Sequence, residues 1–312
     1  MSAIKNKKVV VTGGLGFIGS HIVEELYPDN EVYIIDNEVT GKHENIQDFD
    51  LNQISLTLGD ITTIDLHEIF EGADYVLHQA ALPSVPRSVK DPLRSHEANI
   101  TGTLKVLIAA RDSDVKKVVC ASSSSVYGDT PVLPKVETMP LNLKSPYATT
   151  KATGELYCQN FTDIYGLGTV SLRYFNVFGP RQDPNSQYAA VIPKFITAIM
   201  RNESPTIYGD GEQSRDFTYV KNVVQANILA CETDMQGVYN VACGRRTTLN
   251  ELVDMMGELM DVEVNPKYTE PRIGDVKHSL ADIDKIKAHG YQPTTDFKKD
   301  LEQVVDFFTC KC

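Results

Sequence analysis

A chain of 312 residues with 42% apolar and 23% charged residues has a folded globular protein's composition, with length enough for two subdomains. Its formal charge of −12 argues against nucleic acid or an anionic membrane as the main partner. No apolar run is long enough for a signal peptide or a membrane span, and the six cysteines lack a disulfide-framework spacing, so a reduced, cytoplasmic setting is expected.

In chain order, "VVVT" (9–12) reads as a buried strand and runs into "GGLGFIGSHIVEEL" (13–26), a glycine turn and a helix. Gly13, Gly16 and Gly19 fit G-x-x-G-x-x-G, while Gly14, Gly16 and Gly19 fit the narrower G-x-G-x-x-G. Without Cβ atoms such a turn can tighten, and a pyrophosphate can approach backbone N–H groups at the positive end of the helix. "VYIID" (32–36) is the next strand and ends in Asp36. A carboxylate there accepts hydrogen bonds from ribose hydroxyls and repels a 2′-phosphate, which favours NAD over NADP. "ISLTL" (54–58) follows, with Asp60 just beyond it, either reaching an adenine edge or serving as a plain N-cap. "YVLHQA" (75–80), "VVCASS" (118–123) and "TVSLRYF" (169–175) complete a series of strands separated by crossover-length segments. Such alternation predicts a doubly wound parallel sheet of the Rossmann type with helices on both faces. Beyond Phe178 the chain becomes loop-rich, so residues 1–178, with a later return around 213–245, are expected to form the dinucleotide-binding domain, and 179–312 a smaller α/β substrate domain. The terminal Cys310 and Cys312 form a C-x-C with no second pair or histidine nearby; no metal site is expected.

Two stretches carry the chemistry. "SSSSVYGD" (122–129) puts hydroxyls, and no carboxylate, at the mouth of a strand. In "KSPYATTKATGELY" (144–157), Ser145 suits an N-cap and Pro146 the first helical position, so Tyr147 and Lys151 lie i and i+4 on one helical face. A phenol titrates near ~10 unperturbed. An ammonium and a cationic nicotinamide beside it favour the phenolate, which makes Tyr147 a candidate general base. Y-x-x-x-K alone is common on exposed helices; the glycine turn and the serine-ended strand give it meaning here.

With these motifs in place, the chain resembles the extended short-chain dehydrogenases/reductases, and along essentially its whole length the nucleotide-sugar 4-epimerases. The resemblance implies that Tyr147 is the base, that Lys151 holds it and the nicotinamide ribose, and that Ser123 supplies the third hydroxyl, with Ser124 as the alternative. It implies a cofactor site of Gly13, Gly16, Phe17, Ile18, Gly19, Asp36, Asn37, Asp60, Ile61, Gln79, Ala80, Ala81, Asn99, Tyr147, Lys151 and Tyr174. Related 4,6-dehydratases have an Asp-Glu pair just before "VYG", and UDP-glucuronate decarboxylases a glutamate; here those positions are Ser124 and Ser125. Hydroxyls do not supply that acid–base work at neutral pH, which leaves return of the hydride to the other face of a 4-keto sugar, without net redox change.

At the substrate end the resemblance implies that Arg215 and Arg272 clamp the diphosphate, through the paired donors of a planar guanidinium. Asn176 would donate to the phosphates and Asp275 would bind the uridine ribose. Tyr208 would stack on uracil or serve as core, and Ala190 and Val191, near Tyr188, would meet the base. Ser84 and Arg87 would border the sugar, Arg87 alternatively binding a C6 carboxylate. Galactose-type epimerases that refuse N-acetyl groups have tyrosine seven residues after the R-x-G-D arginine, where this chain has Ser279. The expectation is interconversion of UDP-GlcNAc and UDP-GalNAc, with some tolerance for UDP-glucose and UDP-galactose. UDP-glucuronate 4-epimerisation is the alternative within the class, and a non-catalytic NAD-binding sensor or an NADH-releasing dehydrogenase the alternatives outside it. Helices at about 93–110 and 146–164 would pair between two copies in a homodimer.

Overall fold

The computed structural model describes residues 4–184, 190–271 and 276–310. Strands β1 (Lys8–Thr12), β2 (Glu31–Asp36), β3 (Ile54–Leu58), β4 (Tyr75–His78), β5 (Lys117–Ser123) and β6 (Gly168–Tyr174) pair in parallel. A seventh strand, Gly237–Val241, adds to β6. Starting from that strand, the spatial order is β6, β5, β4, β1, β2, β3. The order reverses between β4 and β1, and a crevice opens there beyond the carboxyl ends of the strands.

The sheet is buried on both faces, as the unbroken β-branched runs require. Side chains alternate across it with period two. Val9 and Val11 therefore pack with Ile22 and Val23 of helix α1 (Phe17–Leu26) and with Val223 and Ala230 of the helix Val220–Glu232. Val10 joins the opposite layer, with Val106, Leu107, Val118 and Cys158. A further apolar cluster lies under the loop-rich half, where Phe178, Ile196, Phe217, Met256 and Leu301 surround Phe297. Phe178 meets Phe297 at 5.3 Å between ring centroids, and Phe217 stacks on Phe297 at 5.6 Å.

The helix expected at 146–164 spans Pro146–Tyr165. Ser145 Oγ accepts from the Ala148 N–H at 3.1 Å, Pro146 opens the first turn, and Gly166 closes the helix in the left-handed region, at φ 72°. The single helix expected at 93–110 is instead interrupted. Pro92–His96 is α-helical, Glu97–Thr101 forms a π turn, and Gly102–Asp112 resumes the α-helix. The widened turn contains Asn99, whose side chain is fully engaged away from the helix.

Candidate active site

A cleft of about 670 Å³ runs along the sheet's carboxyl edge from Asp36 and Asp60 at one end to Tyr147 and Lys151 at the other. Its floor is the glycine turn. Gly13 sits at φ +72°, and a Cβ there would lie 2.7 Å from the Ala80 backbone nitrogen. At Gly19 a Cβ would come within 2.1 Å of the Gly13 carbonyl oxygen, so glycine alone lets α1 start this close to β1. Gly16 is the N-cap of α1 and brings no side-chain acceptor, which leaves the helix N-terminus open to an anion.

Asp36 ends β2 with Oδ2 accepting from the Leu15 N–H at 3.0 Å and Oδ1 from the Glu38 N–H at 2.8 Å. Burial raises its carboxyl above the ordinary range, partly offset by those two N–H groups. Asp60 is both a turn-former and part of the cleft wall: Oδ1 accepts from the Thr62 N–H and hydroxyl, and Oδ2 from Asn37 Nδ2 at 2.8 Å. Phe17, Ile18, Ile61, Gln79, Ala80, Ala81 and Tyr174 also line the cleft. Asn99 does not; its Oδ1 accepts from the Leu82 N–H at 2.7 Å, and its Nδ2 donates to the Leu82 carbonyl and to Thr150 Oγ1. The side chain implied as a cofactor ligand instead braces the segment that forms the cleft wall.

At the far end the Tyr147 N–H donates to Ser88 Oγ at 3.0 Å, tying the helix Pro146–Tyr165 to the helix Val85–Lys90. Lys151 Nζ donates to the Ala121 carbonyl at 2.8 Å and lies 6.0 Å from the Tyr147 ring centroid. Burial pushes the ammonium down to about 8. Burial also pushes the Tyr147 phenol up, while a hydrogen bond with Ser123 pulls it down. Ser123 Oγ accepts from the Ser125 N–H at 3.2 Å, so its own proton is free to be directed at the phenol. Ser124 begins the 3₁₀ turn Ser124–Tyr127 beyond the strand; like Ser123 it is off the cleft wall, but Ser123 is the one bonded to the phenol. The wall itself takes Ser122.

A glycine cradle, an acid ending the second strand and a Ser–Tyr–Lys cluster thus share one crevice. The family model described as "NAD dependent epimerase/dehydratase family" matches residues 9–242. The chain belongs to this family. A solved structure, UDP-N-acetylglucosamine 4-epimerase from Methanobrevibacter ruminantium M1 in complex with UDP-N-acetylmuramic acid, is 50% identical with a TM-score of 0.97, covering 99% of this chain and 100% of that one. A putative UDP-glucose 4-epimerase of Methanocaldococcus jannaschii is 39% identical over 96% of this chain and 97% of its own length. UDP-glucuronic acid 4-epimerase from Bacillus cereus, in complex with UDP-glucuronic acid and NAD, is 30% identical with a TM-score of 0.91, over 98% and 100% of the two chains. The fold is the doubly wound one expected of an NAD dependent family, and the glycine cradle, open helix terminus and Asp36 fit that dinucleotide.

On the substrate side of this family member, Ser84 and Arg87 line the cleft. Ser84 adopts φ 114°, a strained value for a residue with a Cβ, and its Oγ caps the Arg87 N–H at 3.2 Å. Asn176 Nδ2 donates to Ser279 Oγ at 3.3 Å and to the Asp216 carbonyl at 3.2 Å, bringing two of the expected residues together. Arg215 donates to the carbonyls of Ser214 and Lys277. Asp216, pushed up to about 6 by burial, accepts from the N–H groups of Cys243, Gly244 and Ala281 and so fixes the backbone around this corner. Ala190 lines the cleft mouth and Val191 opens the helix Val191–Met200. Tyr208 stands exposed at the end of a short strand, Thr206–Tyr208, which excludes its core alternative. Arg272, Asp275, Tyr188 and Cys312 lie outside the described residues.

Sequence reasoning missed several cleft residues. Lys42 and Asp183 face each other at 3.7 Å from two loops at the cleft edge, and Arg181 lies beside them, bonded to Glu24 on α1 at 2.7 Å. Charges inside "TGKHEN" and "GPRQDP" carry no periodic signal that marks them as facing one another.

Proposed function

We propose that the protein is a UDP-sugar 4-epimerase that prefers N-acetylated hexosamines, interconverting UDP-GlcNAc and UDP-GalNAc and accepting UDP-glucose and UDP-galactose more weakly. One observation carries the reading: the Tyr147 phenol, bonded by the Ser123 hydroxyl, and the Lys151 ammonium meet at one end of the dinucleotide cleft, with no competing acid there among the described residues. Glu155, the carboxylate that reaches the serine run, is held at both oxygens by Arg173 and is not available to expel water or drive decarboxylation. The similarity to enzymes named as UDP-sugar 4-epimerases supports the same reading.

When bound, NAD supplies the hydride acceptor and donor and a cationic ring beside the phenol. Tyr147 then takes the proton of the sugar 4-hydroxyl and later returns it. Once the sugar is bound, Ser123 turns its one proton from the phenol to the same oxygen and fixes its position, and Lys151 keeps positive charge near the phenolate. Gly13, Gly16 and Gly19 would hold the pyrophosphate, Asp36 the adenosine ribose and Lys151 the nicotinamide ribose. Arg215 and Arg272 would neutralise the substrate diphosphate inside an acidic protein. We assign the reaction to the cytoplasm and to a homodimer as part of the same reading.

Ser279 supports the acetamido preference, because a serine leaves room that a tyrosine would fill and its hydroxyl, already bonded to Asn176, can meet an amide. Incubation with UDP-GlcNAc, UDP-glucose and UDP-glucuronate in turn, followed by chromatography, tests both levels. The 4-epimers should form without accumulation of NADH, fastest from UDP-GlcNAc. Faster turnover of UDP-glucuronate would move the assignment to the uronate, and a deoxy or pentose product would reject epimerisation. Ser279→Tyr should lower kcat/KM for UDP-GlcNAc at least about tenfold relative to UDP-glucose, as expected for overpacking of a fitted site. An unchanged ratio would remove Ser279 as the determinant.

A further inference from the structure

One buried charge pair takes no part in the chemistry above. Arg173 on β6 and Glu155 on the helix Pro146–Tyr165 have side chains only 4% and 5% exposed. Nε donates to Oε1 at 2.8 Å and an Nη to Oε2 at 2.7 Å, a two-point contact. Desolvating two such charges costs several kcal/mol, and an apolar pair of similar volume commonly does as well for stability. Stability alone is therefore a poor reason for this pair.

Its connections suggest a better one. Glu155 lies one helical turn beyond Lys151 and two beyond Tyr147. Glu155 Oε1 accepts from Ser122 Oγ at 2.5 Å, while Lys151 Nζ holds the carbonyl of Ala121. Successive turns of the catalytic helix thus grip successive residues of β5, immediately before Ser123. The other end of Arg173 donates to Tyr127 Oη at 2.9 Å, and Tyr127 in turn donates to Asn240 Oδ1 at 2.7 Å. Tyr127 ends the turn that follows Ser123. The pair therefore holds the serine segment on both sides.

We infer that Glu155 is a positioning residue for the catalytic centre: with Arg173 it sets Ser123 in register with Tyr147 and keeps negative charge one turn from Lys151. The second effect has a predictable sign. Lys151 faces Tyr147, Glu155 and Cys158 on its own helix, Cys120 on β5 and His78 on β4, and Arg173 on β6 lies behind Glu155. His78 is held neutral by burial, at about 3, and Glu155 is the carboxylate among these groups. After the Cys120 sulfur, which weighs more, it opposes the desolvation that pulls Lys151 down. Without it the ammonium would be lost at lower pH, and with it the support for the phenolate.

The inference rests on Tyr147 as the base, and its test separates the two. The double variant Glu155→Leu/Arg173→Met replaces the pair by apolar side chains, and Ser122→Ala cuts only the link to β5. The folded double variant should keep KM for UDP-GlcNAc within about twofold and lose about tenfold or more in kcat. Its alkaline limb should move to lower pH, by less than loss of Glu155 alone would give because the Arg173 charge goes with it. Ser122→Ala should lose about threefold or more in kcat, with the limb unmoved. The Tyr147 titration, read as the ultraviolet difference between each background and its Tyr147→Phe derivative, should move up in the double variant. A folded double variant with kcat within twofold of wild type, or with an unmoved limb and an unmoved phenol titration, overturns the inference. If the double variant does not fold, Ser122→Ala decides: unchanged kcat overturns it and the expected loss at constant KM sustains it. A wild type inactive on every UDP-sugar would fail the functional reading instead, and the phenol titration would still decide the role of Glu155.

Discussion

Burial shifts Tyr147 and Lys151 in opposite directions, and the two shifts together fix a pH dependence. Burial disfavours the phenolate, so the base proposed at Tyr147 needs cationic support, yet burial also brings Lys151 down to about 8. Below that value Lys151 carries its proton and stabilises the phenolate; as pH rises through it the charge, and the support, are lost. We therefore expect kcat to fall on an alkaline limb near 8 rather than near the ordinary lysine value of ~10.4. A pH profile at saturating UDP-GlcNAc checks this, and a plateau extending past pH 10 would contradict it. Tyr147→Phe should abolish turnover, by at least about a hundredfold, while leaving NAD bound, as removal of a proton-transfer group predicts. Nucleotide content after denaturation reads the second half of that statement. The sequence made this pair legible because i and i+4 on a capped helix is a local relation. It did not reveal Ser88 bonded to the Tyr147 N–H, or Arg173 on Glu155, because those partners meet only through the sheet.

Elements were legible where one physical signal dominated. β-branched runs such as "VVVT" became strands because burial on both faces selects them. Ser145-Pro146 marked the start of the long helix by cap chemistry, and Gly166, which went unread, closes it. The π turn at Glu97–Thr101 had no such signal, since its widening accompanies contacts of Asn99 with Leu82 and Thr150 that are far away in sequence. For the same reason Asn99 read as a ligand and proved a brace. The glycine turn is the element where shape and binding coincide, and two substitutions separate them. Gly72 has φ +70° and open space within 4 Å of where a methyl would stand, whereas Gly13 has φ +72° and a backbone neighbour at 2.7 Å. Alanine at either site should cost about 1–2 kcal/mol for the left-handed conformation. Gly13→Ala should cost more than that and also release NAD on gel filtration. Denaturant melts of both variants with a nucleotide assay test the difference; equal melts and equal NAD retention would show that the cradle is not what this geometry indicates.

At the scale of the whole molecule, the helix Pro146–Tyr165 has two faces with different fates. Ala148, Ala152, Glu155 and Cys158 turn inward, while Leu156 and Ile164, 61% and 68% exposed, project outward two turns apart. Val89 and Leu93 are exposed on the two helices packed beside it, at 64% and 66%. An apolar stripe spread over adjoining helices is costly to leave in water and suits a self-complementary contact, in which each residue is buried twice about a two-fold axis. Full burial of one leucine contributes about 1.5–3 kcal/mol. Two copies of Leu156 would then contribute about 3–6 kcal/mol to the pair, or at least a hundredfold in the dissociation constant. Sedimentation should find the wild-type protein at twice the mass of one chain, and Leu156→Glu, which places like charges opposite each other across the axis, at the mass of one. The same helix carries Tyr147 and Lys151 on the turns just before Leu156, so the monomeric variant also reports on catalysis. Retained kcat would mean that the helix is held by its inward face alone, through Ala121, Ser122 and Arg173. Lost kcat, with Tm little changed, would mean that the partner copy completes the support.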